Sequence, residues 1–123
     1  MIKFKSLNQS KQFLEILKKK RLDTRYFTIY FEKDLSNTKK NGNKNLKISF
    51  VVKKNIGNAV VRNKIKRKLK AAVQKTLQEK HPIDLNYTYI IFGKNNVYRD
   101  KFSMIFDEVS NVFKKIKQMV GKT

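Results

Sequence analysis

Cysteine and tryptophan are absent from this chain of 123 residues, which holds a single proline, a single histidine and nine acidic residues. Without cysteine there is no disulfide framework, no thiolate metal site and no thiol nucleophile. The lone His81 excludes a histidine-based zinc site and a histidine pair. No apolar run approaches the roughly 18 residues that a membrane-spanning helix needs. The opening Met1-Ile2-Lys3-Phe4-Lys5 has no apolar core of the kind a signal peptide carries. A cytoplasmic protein with no membrane partner is expected, and most familiar catalytic chemistries are already removed.

What the chain has in excess is positive charge. Thirty Lys and Arg against nine Asp and Glu leave a formal net charge of +21, alongside 40% hydrophobic and 11% aromatic residues. Enough apolar material is present for a core, so disorder is disfavoured and a polyanionic partner becomes the natural counterweight. The 25 Lys to 5 Arg, with 12 Asn, match what A/T-rich coding would produce. Such a bias exchanges Arg for Lys but does not explain the scarcity of acids. No composition shift or internal repeat divides the chain, so residues 1–123 are read as one domain.

Hydrophobic periodicity orders the elements. From the candidate N-caps Asn8 or Ser10 to about Lys20, the residues Phe13, Leu14, Ile16 and Leu17 recur at helical spacing. Tyr26 to Phe31 alternates, with Phe27, Ile29 and Phe31 on one side and Tyr26, Thr28 and Tyr30 on the other. Lys33 to Asn45 is a polar connection containing the turn dipeptide Asn41-Gly42. Leu46 to Lys53 alternates again and predicts a strand antiparallel to the first, setting Tyr26, Thr28 and Tyr30 beside Ser49, Val51 and Lys53 if the two pair. Past the turn-like Asn55-Ile56-Gly57-Asn58, the apolar residues Val61, Ile65, Leu69, Ala72, Val73 and Leu77 mark a long helix ended by His81-Pro82. Tyr87 to Phe92 reads as a third strand, and the stripe from Phe102 through Ile105, Val109, Val112, Phe113 and Ile116 to Val120 reads as a closing amphipathic helix. The resulting class is α+β, an αββαβα sandwich in which a small mixed sheet packs with helices.

Between Asp34 and Glu79 there is no acid, and six cations fall within Arg62 to Lys70, opposite the apolar Val61, Ile65 and Leu69. The cations are expected to point outward together. Like charges one turn apart, and cations on the first turn, both destabilise a helix. An anionic ligand removes both penalties, and a phosphate backbone rewards such clustering by counterion release. The plainer alternative is a solvated Lys-rich face. The mixed strand faces and Phe13 and Leu17 of the first helix would together form a groove with aromatic and cationic walls. Unpaired nucleotides suit such a surface, because bases stack on aromatic rings while the backbone meets Lys.

The string from Asn55 to Lys70, Asn-Ile-Gly-Asn-Ala-Val-Val-Arg-Asn-Lys-Ile-Lys-Arg-Lys-Leu-Lys, resembles the signature of the protein subunit of bacterial ribonuclease P, and the element order is similar over about residues 5 to 118. That resemblance implies a non-catalytic RNA-binding subunit of a ribonucleoprotein endonuclease. Its catalytic partner would be an RNA, one protein per RNA, and its substrate precursor tRNA, from which a Mg²⁺-dependent hydrolysis removes the 5′ leader. The magnesium would serve the RNA-containing holoenzyme. No catalytic residue, metal ligand or cofactor is assigned to the protein's side chains, consistent with the lack of any spaced acid/base pair.

The resemblance also implies roles for residues. Asn58, Arg62, Asn63, Lys64, Lys66, Arg67 and Lys70 would meet the catalytic RNA. Phe13, Leu17, Thr28, Tyr30, Ser49, Val51, Lys53 and Lys54 would meet the leader. Lys64 stands where the family usually has Arg, keeping the charge without the planar fork. Leu17 stands where an aromatic is often found, and Asn55 where Lys is frequent. The family's βαβ crossover around the basic helix is left-handed, against the general right-handed expectation. The alternative reading is a structural or assembly RNA-binding protein of ribosomal type with no part in tRNA processing. A self-sufficient nuclease and a membrane-surface protein fit the sequence less well.

Overall fold

In the computed structural model, which describes residues 4–5, 14–33, 46–79, 83–85 and 87–120, the three strands expected from the sequence join two further short strands in a five-stranded sheet. The strands are β1 (Phe4–Lys5), β2 (Lys20–Asp23), β3 (Phe27–Lys33), β4 (Leu46–Val51) and β5 (Tyr87–Gly93), in the spatial order β1-β4-β5-β3-β2. Besides the helical residues 14–16, the described residues form three helices: α1 (Ala59–Leu77), the short α2 (Asn96–Arg99) and α3 (Phe102–Val120). A 3₁₀ turn, Lys54–Ile56, joins β4 to α1. The α+β sandwich expected from periodicity is what forms, with β1, β2 and α2 as additions.

One face of the sheet is buried against α1 and α3. Phe27, Ile29 and Phe31 of β3, Leu46 and Ile48 of β4, and Tyr89 and Ile91 of β5 share a core with Ile65, Leu69, Ala72 and Val73 of α1 and Ile105, Val109, Val112, Phe113 and Ile116 of α3. The period-2 and period-3.6 patterns meet here, as an apolar sheet face and two apolar helix stripes require. Tyr89 and Phe113 meet edge to face, their ring centroids 5.1 Å apart. The Tyr89 hydroxyl donates to the Asp84 carbonyl at 2.7 Å. Burial pushes its pKa far above the ordinary phenolic value.

Several expectations are corrected. The first helix does not run to Lys20: the described helical residues end at Ile16, a turn follows at Leu17 and Lys18, and Lys20 begins β2. β2 is mostly exposed and is held by pairing with β3, from Lys20 opposite Phe31 to Asp23 opposite Thr28, rather than by burial. A charged edge strand of this kind carries no alternating signal and resists edge-to-edge association. The two strands expected to pair, β3 and β4, are not neighbours. β5 lies between them, antiparallel to β3 and parallel to β4, and α1 makes the connection from β4 to β5.

Tyr26 does not join Thr28 and Tyr30 on the mixed face. It precedes β3 at a turn where Thr24 bonds Phe27, is buried in the core cluster, and donates its hydroxyl to Asp100 Oδ2 at 2.7 Å. That hydrogen bond raises its pKa. Phe13, Asn8, Ser10, the connection from Asp34 to Asn45 and the His81-Pro82 pair lie outside the described residues.

Lys68 also departs from the outward orientation expected of the cations. Its Nζ donates to the carbonyls of Val97, Tyr98 and Asp100 at 3.0, 3.1 and 3.1 Å, tying α1 to the end of α2. Charge-assisted bonds to carbonyls left free at a helix end are worth more than neutral ones. Replacing Lys68 with Met is expected to lower folding stability by about 1–3 kcal/mol, measured by urea denaturation, with RNA affinity per folded molecule little changed.

Candidate nucleic-acid interface

The basic helix begins where Gly57 brings the chain close to α1. A Cβ at Gly57 would sit 3.0 Å from Val61 Cβ and Cγ1, so the chain turns into the helix with little clearance. Asn58 is the N-cap, its Oδ1 accepting from the Val61 N–H at 3.0 Å. Arg62 donates from Nε to the Gly57 carbonyl at 3.1 Å, which fixes its guanidinium beside the helix start. The first turn holds no acid to favour the helix dipole.

Along α1 the cations divide between two flanks. Asn63, Lys66, Arg67 and Lys70 stand at i, i+3, i+4 and i+7 and line, with Phe50 of β4, an open surface cavity of about 390 Å³. Lys64, Lys68 and Lys75 occupy the other flank, towards α2 and α3. Lys64 Nζ sits 4.9 Å from the Tyr98 ring centroid and Lys75 Nζ 4.5 Å from that of Phe106. Four of the seven residues expected to meet the catalytic RNA are thus gathered in one place, with Arg62 held at the helix start. Asn58 serves as the cap, and Lys64 faces away from the cluster. An ammonium over Tyr98 does not stand in for an Arg fork beside Arg67.

A second surface lies on the sheet face opposite the main core. The strand registers set Thr28, Phe92 and Val51 in one row across β3, β5 and β4, and Tyr30, Ile90 and Ser49 in the next. Tyr30 and Phe92 meet edge to face with centroids 5.6 Å apart, and Lys53 Nζ stands 6.0 Å from the Phe92 centroid. Leu17 is half-buried in the turn that ends the helical segment, and Lys54 is exposed on the 3₁₀ turn. Ile16 and Ile90 are buried yet stand outside the main core cluster, as residues on a second, partly covered face would. Thr28 donates its hydroxyl to Asp23 Oδ1 at 2.6 Å, and Lys94 meets the same carboxylate at 2.8 Å. The Lys94 bond, with the Thr28 bond second, holds the Asp23 carboxyl below the ordinary carboxylate range.

Phe92 is the central residue that the sequence reading missed. Its signal was present, since Thr88, Ile90 and Phe92 alternate against Tyr87, Tyr89 and Ile91. That alternation gained meaning only once β5 was known to lie between β3 and β4.

The side chains whose pKa values are displaced, Asp23 downward and Tyr26, Tyr87 and Tyr89 upward, all move away from neutrality. Among the described residues no three His, Asp or Glu side chains gather to hold a metal ion. No helix among the described residues is long and apolar enough to cross a membrane.

A family model described as Ribonuclease P matches residues 1–117. The ribonuclease P protein component of Carboxydothermus hydrogenoformans is 30% identical over 121 residues, covering 98% of this chain and 97% of that one. That of Mycoplasma mycoides is 30% identical over 106 residues, covering 86% and 90%. Among solved structures, the RNase P protein from Thermotoga maritima superposes with a TM-score of 0.71 at 22% identity, over 90% of this chain and 96% of that chain, which is a likeness of fold.

Proposed function

The chain belongs to the ribonuclease P protein family, and on that premise we propose that its α1 cluster docks on the catalytic RNA while its sheet face holds the 5′ leader of precursor tRNA. The observation that carries this reading is the separation of the two surfaces. Asn63, Lys66, Arg67 and Lys70 line one cavity with Phe50, and Tyr30, Phe92 and Lys53 form a different, aromatic surface. A structured polyanion suits the first, where charge is dense and regularly spaced. A single strand suits the second, where rings offer stacking and Lys53 meets the backbone.

The polypeptide performs no bond-breaking step in this scheme and acts in the cytoplasm as one copy per RNA. Hydrolysis and its magnesium belong to the RNA. Discrimination between precursor and mature tRNA follows from geometry, because only the precursor has a leader to occupy the sheet face.

Precursor-tRNA cleavage with the protein alone, the RNA alone and both together at moderate salt tests the division of labour. Cleavage by the purified protein alone would overturn it. Affinity unchanged by adding a leader to tRNA would instead favour a structural RNA-binding role. Within the same assay, Tyr30→Ala or Phe92→Ala is expected to cost about 1–3 kcal/mol in precursor affinity through lost base stacking. Binding of leaderless tRNA should stay the same, measured by equilibrium titration of the assembled complex.

A further inference from the structure

Two carboxylates stand on the sheet face proposed to hold the leader, where an acid is unfavourable because a phosphate backbone passes over it. Glu32 follows Thr28 and Tyr30 along β3 and meets Lys19 at 3.7 Å. Asp23 belongs to the edge strand β2, and the strand registers set it at the end of one row, Asp23, Thr28, Phe92 and Val51. The Thr28 hydroxyl donates to Asp23 Oδ1 at 2.6 Å, so both side chains stand on this face. Asp23 is the more open of the two acids, with 68% of its side chain exposed against 32% for Glu32.

Asp23 is at once exposed and fixed. Its Oδ1 takes both the Thr28 hydroxyl and the Lys94 ammonium, the latter at 2.8 Å, and Lys94 is itself anchored on the Thr24 carbonyl. Both bonds to the carboxylate end on Oδ1, so among the described residues the lone pairs of Oδ2 stay unspent. An exposed carboxylate held in one orientation by two donors is a prearranged acceptor rather than a mobile surface charge. Lys94 has three donor hydrogens and spends two, on Asp23 and Thr24. An acceptor and a donor therefore stand side by side at one end of an aromatic surface, two strand spacings, or about 10 Å, from Phe92. The length of a purine and that of an aspartate side chain together bridge that gap.

We propose that Asp23 selects guanine at one position of the leader, with the base lying on Phe92 and its pairing edge turned towards β2. The inference rests on the reading of this face as the leader surface, and adds to it a residue and a base. Guanine is the one base whose pairing edge carries two adjacent donors, N1–H and the 2-amino group. Both are offered to Asp23 Oδ2, while Lys94 donates its remaining hydrogen to O6. Adenine and cytosine bring one amino group next to a ring nitrogen whose lone pair faces the carboxylate, and uracil brings one N–H between two carbonyls. A carboxylate repels those lone pairs. Arg21, exposed and set opposite Tyr30 in the next row, offers a cation to the neighbouring phosphate. Bases splayed out of RNA are read in this way, by stacking on an aromatic ring and hydrogen bonds to the pairing edge.

Equilibrium binding of precursor tRNA to the protein assembled with its catalytic RNA tests this, using leaders of adenosine alone and leaders with a single guanosine placed at each position in turn. Guanosine at one position is expected to tighten binding roughly tenfold. Inosine there, which keeps N1–H but lacks the 2-amino group, should lose most of that gain. Asp23→Asn should bring the ratio of guanosine to adenosine affinity to about one, because the amide keeps the shape and replaces the charge with a donor. The ratio is insensitive to any general change in affinity from removing a charge. No preference for guanosine at any position, inosine binding as tightly as guanosine, or a preference that survives Asp23→Asn would overturn the role of Asp23 while leaving the leader surface in place. Affinity unchanged by the presence of any leader would instead sink the reading of the sheet face itself.

Discussion

Replacing Lys66, Arg67 and Lys70 together with Gln is expected to weaken association with the catalytic RNA by roughly 10²–10³-fold at about 0.1 M salt. The magnitude follows from counterion release, which gives a log-log salt slope of about 0.7 to 0.9 per phosphate contact. Three lost contacts should therefore flatten the measured slope by about 2 to 3. The triple variant should fold normally, because none of the three belongs to the core cluster and all lie on the flank of α1 beside Phe50. Relieving like-charge repulsion one turn apart should even raise helix stability by a few tenths of a kcal/mol per pair. Lys64→Gln provides the contrast. Lys64 is on the other flank, over Tyr98, so its loss should not reproduce the change in slope. Filter binding across a salt series would decide the matter. An unchanged slope in the triple variant would remove the α1 cluster from the RNA interface.

The legible and illegible parts of this fold differ in what holds them. α3 and the core face of α1 were readable because burial imposes a period on Ile105, Val109, Phe113 and Ile116 and on Ile65, Leu69 and Val73. β3, β4 and β5 were readable for the same reason at period two. β2 was not, since Lys20, Arg21 and Asp23 are exposed and the strand exists through hydrogen bonds to β3. Neighbour order was illegible as well: alternation says which side chains share a face, and it is silent on which strand lies alongside. Placing β5 between β3 and β4 therefore separated Tyr30 from Ser49 and moved Phe92 to the centre of the proposed leader surface. Among the cations, sequence alone did not distinguish an ammonium facing solvent from one capping carbonyls. Lys66 and Lys68 are two residues apart, yet one lines the open cavity and the other ties α1 to α2.

Leu69→Ala is expected to lower folding stability by about 2–5 kcal/mol, a large share of the roughly 5–15 kcal/mol typical of a domain. Leu69 is fully buried between α1 and the sheet, and the packing there is close. A Cβ added to Gly93 of β5 would lie 2.9 Å from Leu69 Cδ1 and 2.9 Å from Ile65 Cγ2. Glycine is thus required at this point because α1 sits directly over the strand. Gly93→Ala alone should cost about 1–3 kcal/mol by overpacking. In the Leu69→Ala background one of the two clashing atoms is gone and a void adjoins the new methyl, so the same substitution should cost less. A coupling of at least about 0.5 kcal/mol is expected from the double-mutant cycle, measured by urea denaturation with the slope unchanged between variants. Strict additivity would mean that α1 can shift on the sheet. The alignment of Asn63, Lys66, Arg67 and Lys70 beside Phe50 would then not be fixed by the core, and the proposed RNA surface would lose its rigid base.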